Sequence, residues 1–459
     1  MTRTHARGRA LAVFSILWLA LTAWVVAGHR VSADSPDRAA DQEPADPPSL
    51  WHRVRSGIQG ALGKTAEADR AAVRAAVGAL GIPEWHKAGH TGKGVKVAVL
   101  DSGFRGYRSA LGVVVPDSVG VKSFRLDGLL DSRDSQHGVL CGEIVHHIAP
   151  SSEMLFANWE AEQSSAFLDA VRWARAEGAR IITCSVIMPS WSDGDGGGAV
   201  HEELRRILGA GDKPTDCLFF ASAGNTALRT WAGSCKANPD GWHEWTRGHT
   251  ENTIRPLSSD RISVEVTSRE DRYEVAILDT TKKKEIARVK SIRVEGGMVA
   301  VARFESVPSH RYAVKLRPLD ETKGKKPGTF HLTVLGGKLG TATKAGSIPF
   351  PSDGAEVIAV GAVDDRGRRH AYSSCGPVAR CLKPDLVATV PFPVLWRPDQ
   401  PFSGTSAAAP QAAGLAALVW SRHPTWTANQ VRAALQEAAR KPGSAHCTET
   451  GHGGVRLPS

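Results

Sequence analysis

The sequence predicts an α/β protein, a mostly parallel central sheet covered by helices, carrying an inserted antiparallel β-sandwich. Three observations lead there. Five short runs, KVAVLD (96–101), MLFANWE (154–160), ARIITCSV (179–186), CLFFASAGN (217–225) and VIAVGAV (357–363), are apolar along their length, as strands buried on both faces are. Helical stretches at 138–148, 165–177 and 201–208 separate several of them, and strands alternating with helices build parallel sheets. Over 250–337 the texture changes: RISVEVTS, YEVAILDT, EIARVKSIRV, MVAVARFES, RYAVKLRPL and TFHLTVLGG are short alternating strands divided by turns, the pattern of a sandwich.

The elements follow in chain order. Residues 1–9 carry Arg3, Arg7 and Arg9 and no acid, 10–28 are uncharged and mostly apolar, and Val31-Ser32-Ala33 offers small residues for cleavage. This is the pattern of an export signal. The run is also long enough to span a bilayer, so an uncleaved anchor is the alternative. Either way the remainder lies outside the cytoplasm, in a secreted, periplasmic or cell-surface location. Residues 34–50 are rich in Pro, Asp and Ala, an extended linker, and 51–80 show helical spacing; together 34–85 form a linker and a helical pro-like segment. The predicted organisation is then a first α/β part over 86–249, the sandwich over 250–337, and a second α/β part over 338–459, with a closing helix at 428–440 after Thr427.

Composition narrows the functional classes. With 42% hydrophobic and 23% charged residues the chain is neither disordered nor a many-pass membrane protein, and seven cysteines in 459 residues exclude a small disulfide scaffold. The net charge of +10 raises an acidic partner as a question. Residues 251–345 hold 19 Lys+Arg against 12 Asp+Glu, a surplus of seven, so most of the excess lies in the insert, and nucleic-acid binding rests on charge alone. The runs Lys282-Lys283-Lys284 and 323–326 read as solvated turns, with docking to an acidic surface as the alternative. His201-Glu202 and His243-Glu244 lack a second His four residues after the first, so the metalloprotease helix is absent. The GDGGG loop (194–198) reads as a flexible loop with acids that could bind calcium in principle, and no ligand set is legible.

Three segments carry an acid, a base and a nucleophile. GKGVKVAVLDSG places Asp101 at a strand end, SQHGVLCGEIVHHIAP places His137 at a helix start, and FSGTSAAAPQAAGLAALV places Ser406 at the start of a small-residue helix. A serine hydroxyl needs a base to take its proton, and the base needs a group that fixes its tautomer. A fourth segment, FFASAGNTA, sets Asn225 just past a strand, where its amide can donate to an oxyanion. The backbone N–H of Ser406, at a helix amino end, is the second donor.

Taken together these segments, in the order Asp, His, Asn, Ser, resemble the subtilisin-like serine proteases, the subtilases. The resemblance runs over about 82–235 and 346–456, and includes AYSSCGP (371–377), KPDLVA (383–388) and GHGGVRLP (451–458). It departs in three places. Val139 stands where Thr is usual. Ile187 stands where Gly is usual. A longer loop from Thr389 through Gln400 replaces the expected Pro-Gly. The resemblance implies a three-layer subtilisin-like fold and an exported serine endopeptidase acting through an acyl-enzyme, with a polypeptide substrate, no cofactor needed for the chemistry, structural calcium at an unidentified site and a monomeric state. It also implies that the substrate pairs as a strand beside Ser185, Val186 and Ile187, with Ala221, Ser222, Ala223 and Gly224 as the opposite wall. The alternative is a catalytically inactive binding protein on the same fold, using the basic insert. Cys141 lies one helical turn beyond His137, on the same face. Two cysteine pairs are close enough to suggest disulfides, Cys375 with Cys381 and Cys217 with Cys235, although spacing alone does not establish either.

Overall fold

In the computed structural model, residues 59–459 are described except for 132–134, 258–260, 295, 320–327, 399 and 441–444. The expected export segment, and the linker and pro-like segment up to residue 58, lie outside the described residues. Among the described residues no helix is long and apolar enough to cross a membrane. The described chain opens with α1 (Gln59–Ala79) and α2 (Ile82–Lys87). Val73 and Ile82 are buried, and His86 Nε2 donates to the Ile148 carbonyl at 2.9 Å, so this segment belongs to the folded core.

The α/β layers are built from β1 (Lys96–Leu100), α3 (Tyr107–Ala110), β2 (Gly120–Phe124), α4 (His137–Ile148), β3 (Glu153–Trp159), α5 (Ser164–Ala176), β4 (Ile181–Cys184), α6 (Ala199–Leu208) and β5 (Leu218–Ser222). The insert follows as β6 (Thr230–Ser234), β7 (Asn252–Pro256), β8 (Arg261–Ser268), β9 (Tyr273–Asp279), β10 (Lys284–Lys290), β11 (Ile292–Val294), β12 (Gly297–Glu305), β13 (Tyr312–Pro318), β14 (Thr329–Leu335) and β15 (Gly337–Leu339). The chain then returns with β16 (Val357–Val363), β17 (Leu386–Thr389), α7 (Thr405–Arg422) and α8 (Ala428–Ala439).

The five apolar runs form the middle of a seven-stranded sheet in the order β17-β16-β5-β4-β1-β3-β2, with every neighbouring pair parallel. β1 is central: Val97 aligns with Met154 on one side and Ile181 on the other. One face of the sheet packs against α4, α7 and α8, the other against α5 and α6, giving three layers. The edge strand β2 has no apolar run and is largely exposed, so hydrophobic patterning could not announce it. Thr427 caps α8 with a reciprocal Gln430 bond, as its Thr-x-x-Gln sequence dictates. α7 is buried from Thr405 to Trp420. Its small residues let it approach α4, and at Gly414 a Cβ would meet Ile148 at 2.8 Å.

The insert forms two five-stranded sheets, ordered β10-β9-β13-β7-β15 and β11-β12-β8-β14-β6, and all their pairings are antiparallel. The run EIARVKSIRV divides at Ser291, so β10 and β11 lie in different sheets. Ser291 marks the switch by exchanging bonds with the Tyr273 backbone. Trp231, Trp245, Tyr273 and Phe330 fill the space between the sheets.

All seven cysteines are free, so neither expected disulfide is formed. Cys217 is buried beside β5 in the α/β core and Cys235 in the sandwich core, which separates that pair. Cys375 Sγ donates to the Lys344 carbonyl at 3.1 Å, and Cys381 Sγ to the Asp353 carbonyl at 3.2 Å.

Candidate active site

Asp101 follows the last residue of β1, and its backbone N–H continues the ladder to the Ala157 carbonyl at 3.0 Å. Its side chain is fully buried. One carboxylate oxygen, Oδ1, accepts the Ser102 N–H at 2.8 Å; the other, Oδ2, lies 2.7 Å from His137 Nδ1. A carboxylate only accepts, so the proton sits on Nδ1 and Nε2 is left as the basic nitrogen. His137 opens α4, and its N–H donates to Ser135 Oγ at 3.0 Å. The next residue must be glycine: a Cβ at Gly138 would meet the Gly103 carbonyl at 2.8 Å as well as the Phe104 ring. The Phe402 ring stands edge-on to the imidazole, with centroids 5.2 Å apart.

Ser406 is the second residue of α7 and is buried. Pro410, four residues on, is the sixth helical residue, and the bond its missing N–H omits is the one the Ser406 carbonyl would accept. That carbonyl is satisfied from outside the helix, by Ser185 Oγ at 3.2 Å and Cys141 Sγ at 3.7 Å. The same thiol lies 3.9 Å from Asp101 Oδ2 and 4.0 Å from His137 Nδ1. Cys141 therefore touches all three members of the set. Burial pushes its pKa up, which keeps it a neutral S–H under the base and not a competing nucleophile.

Asn225 lies beyond β5. Its Oδ1 accepts both the N–H and the hydroxyl of Thr405, each at 3.0 Å. The amide oxygen is thereby committed, and the NH2 is left as the donating end. Gly404, with φ +80, lies against that NH2, where a Cβ would come within 2.9 Å. The Ser406 N–H belongs to the first turn of α7, whose donors have no acceptor within the helix. The glycine, threonine and serine of the G-T-S motif thus each have a separate physical task.

Ser185 leaves the end of β4, with Val186 buried and Ile187 half-buried. Ala221, Ser222, Ala223 and Gly224 are buried at the end of β5. The Ala223 N–H donates to the Val360 carbonyl, the Ser222 carbonyl accepts Ser352 Oγ and the Gly224 carbonyl accepts the Ser374 N–H, so this wall is fixed by its neighbours.

Two features of the site were missed from sequence. Glu143 lies in α4 and is fully buried. It accepts the backbone N–H groups of Leu395 and Trp396 (the latter at 3.2 Å) and lies 3.1 Å from His147 Nε2. It therefore anchors the hairpin 392–402, which is closed by paired Phe392–Phe402 backbone bonds and whose end presents Phe402 to His137. A lone acid within the apolar run of α4 and the longer loop after Thr389 were both visible, but nothing local joined them.

Among the described residues, Asp101, His137 and Cys141 are also the one group whose donor atoms lie close enough to share a metal ion, all within 4.8 Å. Asp101 Oδ2 and His137 Nδ1 are already committed to each other at 2.7 Å, which fits a proton relay better than a ligand set. Asp193, just before the GDGGG loop, is likewise engaged by protein groups, accepting the N–H groups of Asp195 and Gly197, each at 2.9 Å, and the Arg380 guanidinium at 2.8 Å; the loop's own acid, Asp195, lies 3.7 Å from Arg269 and 3.6 Å from His331.

Residues 333–453 match the model of the subtilase family. The chain is 36% identical over 110 residues to the subtilisin of Bacillus pumilus, covering 24% of this chain and 38% of that protein. To a thermostable alkaline protease of Halalkalibacterium halodurans it is 29% identical over 206 residues, 43% of this chain and 52% of that one. It thus spans about half or less of the length of these curated relatives. Among solved structures, the CspB protease of Clostridium perfringens shares the fold, with a TM-score of 0.57 at 16% identity, over 82% of this chain and 96% of that one.

Proposed function

We propose that this chain, which carries a subtilase domain, is an exported serine endopeptidase. His137 Nε2 takes the Ser406 proton as the hydroxyl attacks the scissile carbonyl. Asp101 holds the imidazole in the Nδ1–H tautomer and stabilises the imidazolium. The Asn225 NH2 and the Ser406 N–H receive the oxyanion. His137 then returns the proton to the leaving amine, and water, activated by the same base, hydrolyses the acyl-enzyme. The peptide lies as a strand beside residues 185–187, whose backbone bonds supply much of the affinity.

The observation that carries this reading is the convergence on Cys141. Three segments spread over more than 300 residues bring Asp101 Oδ2, His137 Nδ1 and the Ser406 carbonyl within 4.0 Å of one thiol. A binding protein on this fold would need none of that. Ser406→Ala should abolish both peptide hydrolysis and labelling by a fluorophosphonate. Labelling that survives the substitution, or a wild-type protein that neither labels nor cleaves, would remove the enzymatic reading. The export signal rests on residues 1–33, and the amino terminus of the exported protein, read by mass spectrometry, separates a cleaved signal from a retained anchor.

A further inference from the structure

The segment that leaves β4 is clamped from two sides. On the catalytic side the Met188 N–H donates to the Phe350 carbonyl at 3.0 Å. The Phe350 ring packs on Trp191, with centroids 5.8 Å apart. Ser192 Oγ and the Gly196 N–H both donate to the Asp353 carboxylate, the second at 3.1 Å.

The other side is the insert. In β8, Ile262, Val264 and Val266 point into the sandwich core, so Ser263, Glu265 and Thr267 must point away from it. On a free sandwich that polar face would meet water. Here all three side chains are buried, with Glu265 only 4% exposed. Glu265 Oε2 accepts the Ser190 N–H at 3.0 Å, inside the short helical turn Pro189–Trp191, and Oε1 accepts Ser263 Oγ at 3.1 Å. The contact continues along the loop. Arg269 reaches Asp193 at 3.9 Å and Asp195 at 3.7 Å, and His331 Nε2 lies 3.6 Å from Asp195. Gly296 lies so close to the Gly198 backbone that a Cβ there would collide with it.

We propose that the inserted sandwich is part of the substrate site, with Glu265 as a positioning residue that fixes the segment 185–190 on which the peptide pairs. The inference rests on the reading of 185–187 as the substrate strand. A hydrogen bond from a backbone N–H to a carboxylate is directional and stronger than a neutral one. It holds the far end of the segment, while Ser185 Oγ holds the near end to the Ser406 carbonyl. Loosening the far end should weaken peptide pairing and leave the acid–base set, which is built on β1, α4 and α7, in place.

The test uses the full chain carrying Glu265→Ala, Glu265→Gln and Ser190→Pro. The last removes the donor from the opposite side, within a turn that already begins with proline. With an extended peptide substrate, Glu265→Ala should raise KM about tenfold with kcat within twofold. Glu265→Gln, which keeps an acceptor oxygen, should recover most of that. Ser190→Pro should reproduce the KM rise, and the double variant should be no worse than either alone. Hydrogen exchange of the amides of 186–191, measured in a Ser406→Ala background, should rise in Glu265→Ala and Ser190→Pro; this readout needs no turnover. Unchanged exchange in both would overturn the positioning role. Raised exchange with KM unchanged on every peptide would overturn the proposal by removing 185–187 as the substrate strand. Should Glu265→Ala fail to fold, Ser190→Pro decides alone: an unchanged KM there overturns the proposal.

Discussion

Ser406 and Pro410 stand one helical turn apart, and the missing N–H of the second gives the carbonyl of the first to Ser185 and Cys141. Two segments distant in sequence are thereby tied to the nucleophile's own backbone. Glu143 does comparable work for the base. Its buried carboxylate holds two backbone donors of the 392–402 hairpin, and the hairpin carries Phe402 to the His137 ring. Removing a partner from a buried donor costs about 1–3 kcal/mol, so Glu143→Ala should cost about 2–4 kcal/mol of stability. It should lower kcat as well, because Phe402 loses its support, whereas Glu143→Gln should keep part of both. Thermal unfolding and steady-state kinetics on the same preparations check this; a folded Glu143→Ala enzyme of wild-type stability would contradict it. The positions of Asp101, His137, Ser406 and Asn225 were legible because each sits in a motif whose flanking residues have their own steric tasks. Glu143 was not, because its partners are backbone groups some 250 residues away, which no local pattern encodes.

Between elements, the connection of α6 to the turn before β16 is electrostatic. His201 in α6 is fully buried, with Nε2 at 2.9 Å from Asp353 and Nδ1 at 2.6 Å from Glu356. Burial opposes its charge, but the charges and hydrogen bonds of Asp353 and Glu356 outweigh burial and push the imidazole up to about 9 from an ordinary 6.5. Burial likewise opposes ionisation of Asp353 and Glu356, and the His201 imidazolium still holds both carboxyls below their usual range. Because the folded pKa of His201 lies above the unfolded one, its contribution is complete below about pH 6.5 and disappears as pH rises through about 9. A gap of this size corresponds to a contribution on the order of 3 kcal/mol. The wild-type melting temperature should therefore fall between pH 7 and 10, and His201→Gln should be less stable at pH 6 with a flatter profile over that range. A variant that keeps the wild-type slope would show that another group titrates. The strands and helices of the α/β layers followed from apolar runs and helical spacing, since burial on both faces leaves a clear mark. β2 and the sheet switch at Ser291 left none, because an exposed edge strand and a one-residue crossing have no distinctive periodicity.

For the whole molecule, the polar face of β8 buried against the 189–198 loop makes the insert continuous with the α/β layers. The protein should accordingly unfold in one calorimetric transition, with fluorophosphonate labelling lost at the same temperature; a separate, lower transition of the insert with labelling retained would contradict this. The surplus of basic residues in the insert is also less available than a count suggests. Around Trp242, with Lys315 at 4.4 Å and Arg317 at 5.0 Å from its ring, Glu274 pairs with both Arg288 and Arg317, and Glu285 with Arg288. The sequence by itself determined the fold class, the presence of a β insert and the four residues of the proposed chemistry, because apolar periodicity and tightly constrained motifs are local properties of a chain. Tertiary structure alone decided that the cysteines stay unpaired, that Glu143 holds the segment that carries Phe402 to His137, and that Glu265 of the insert meets the segment leaving β4. Each of these depends on which groups meet across hundreds of residues, and a buried carboxylate or thiol takes its role from the partners that desolvate and satisfy it.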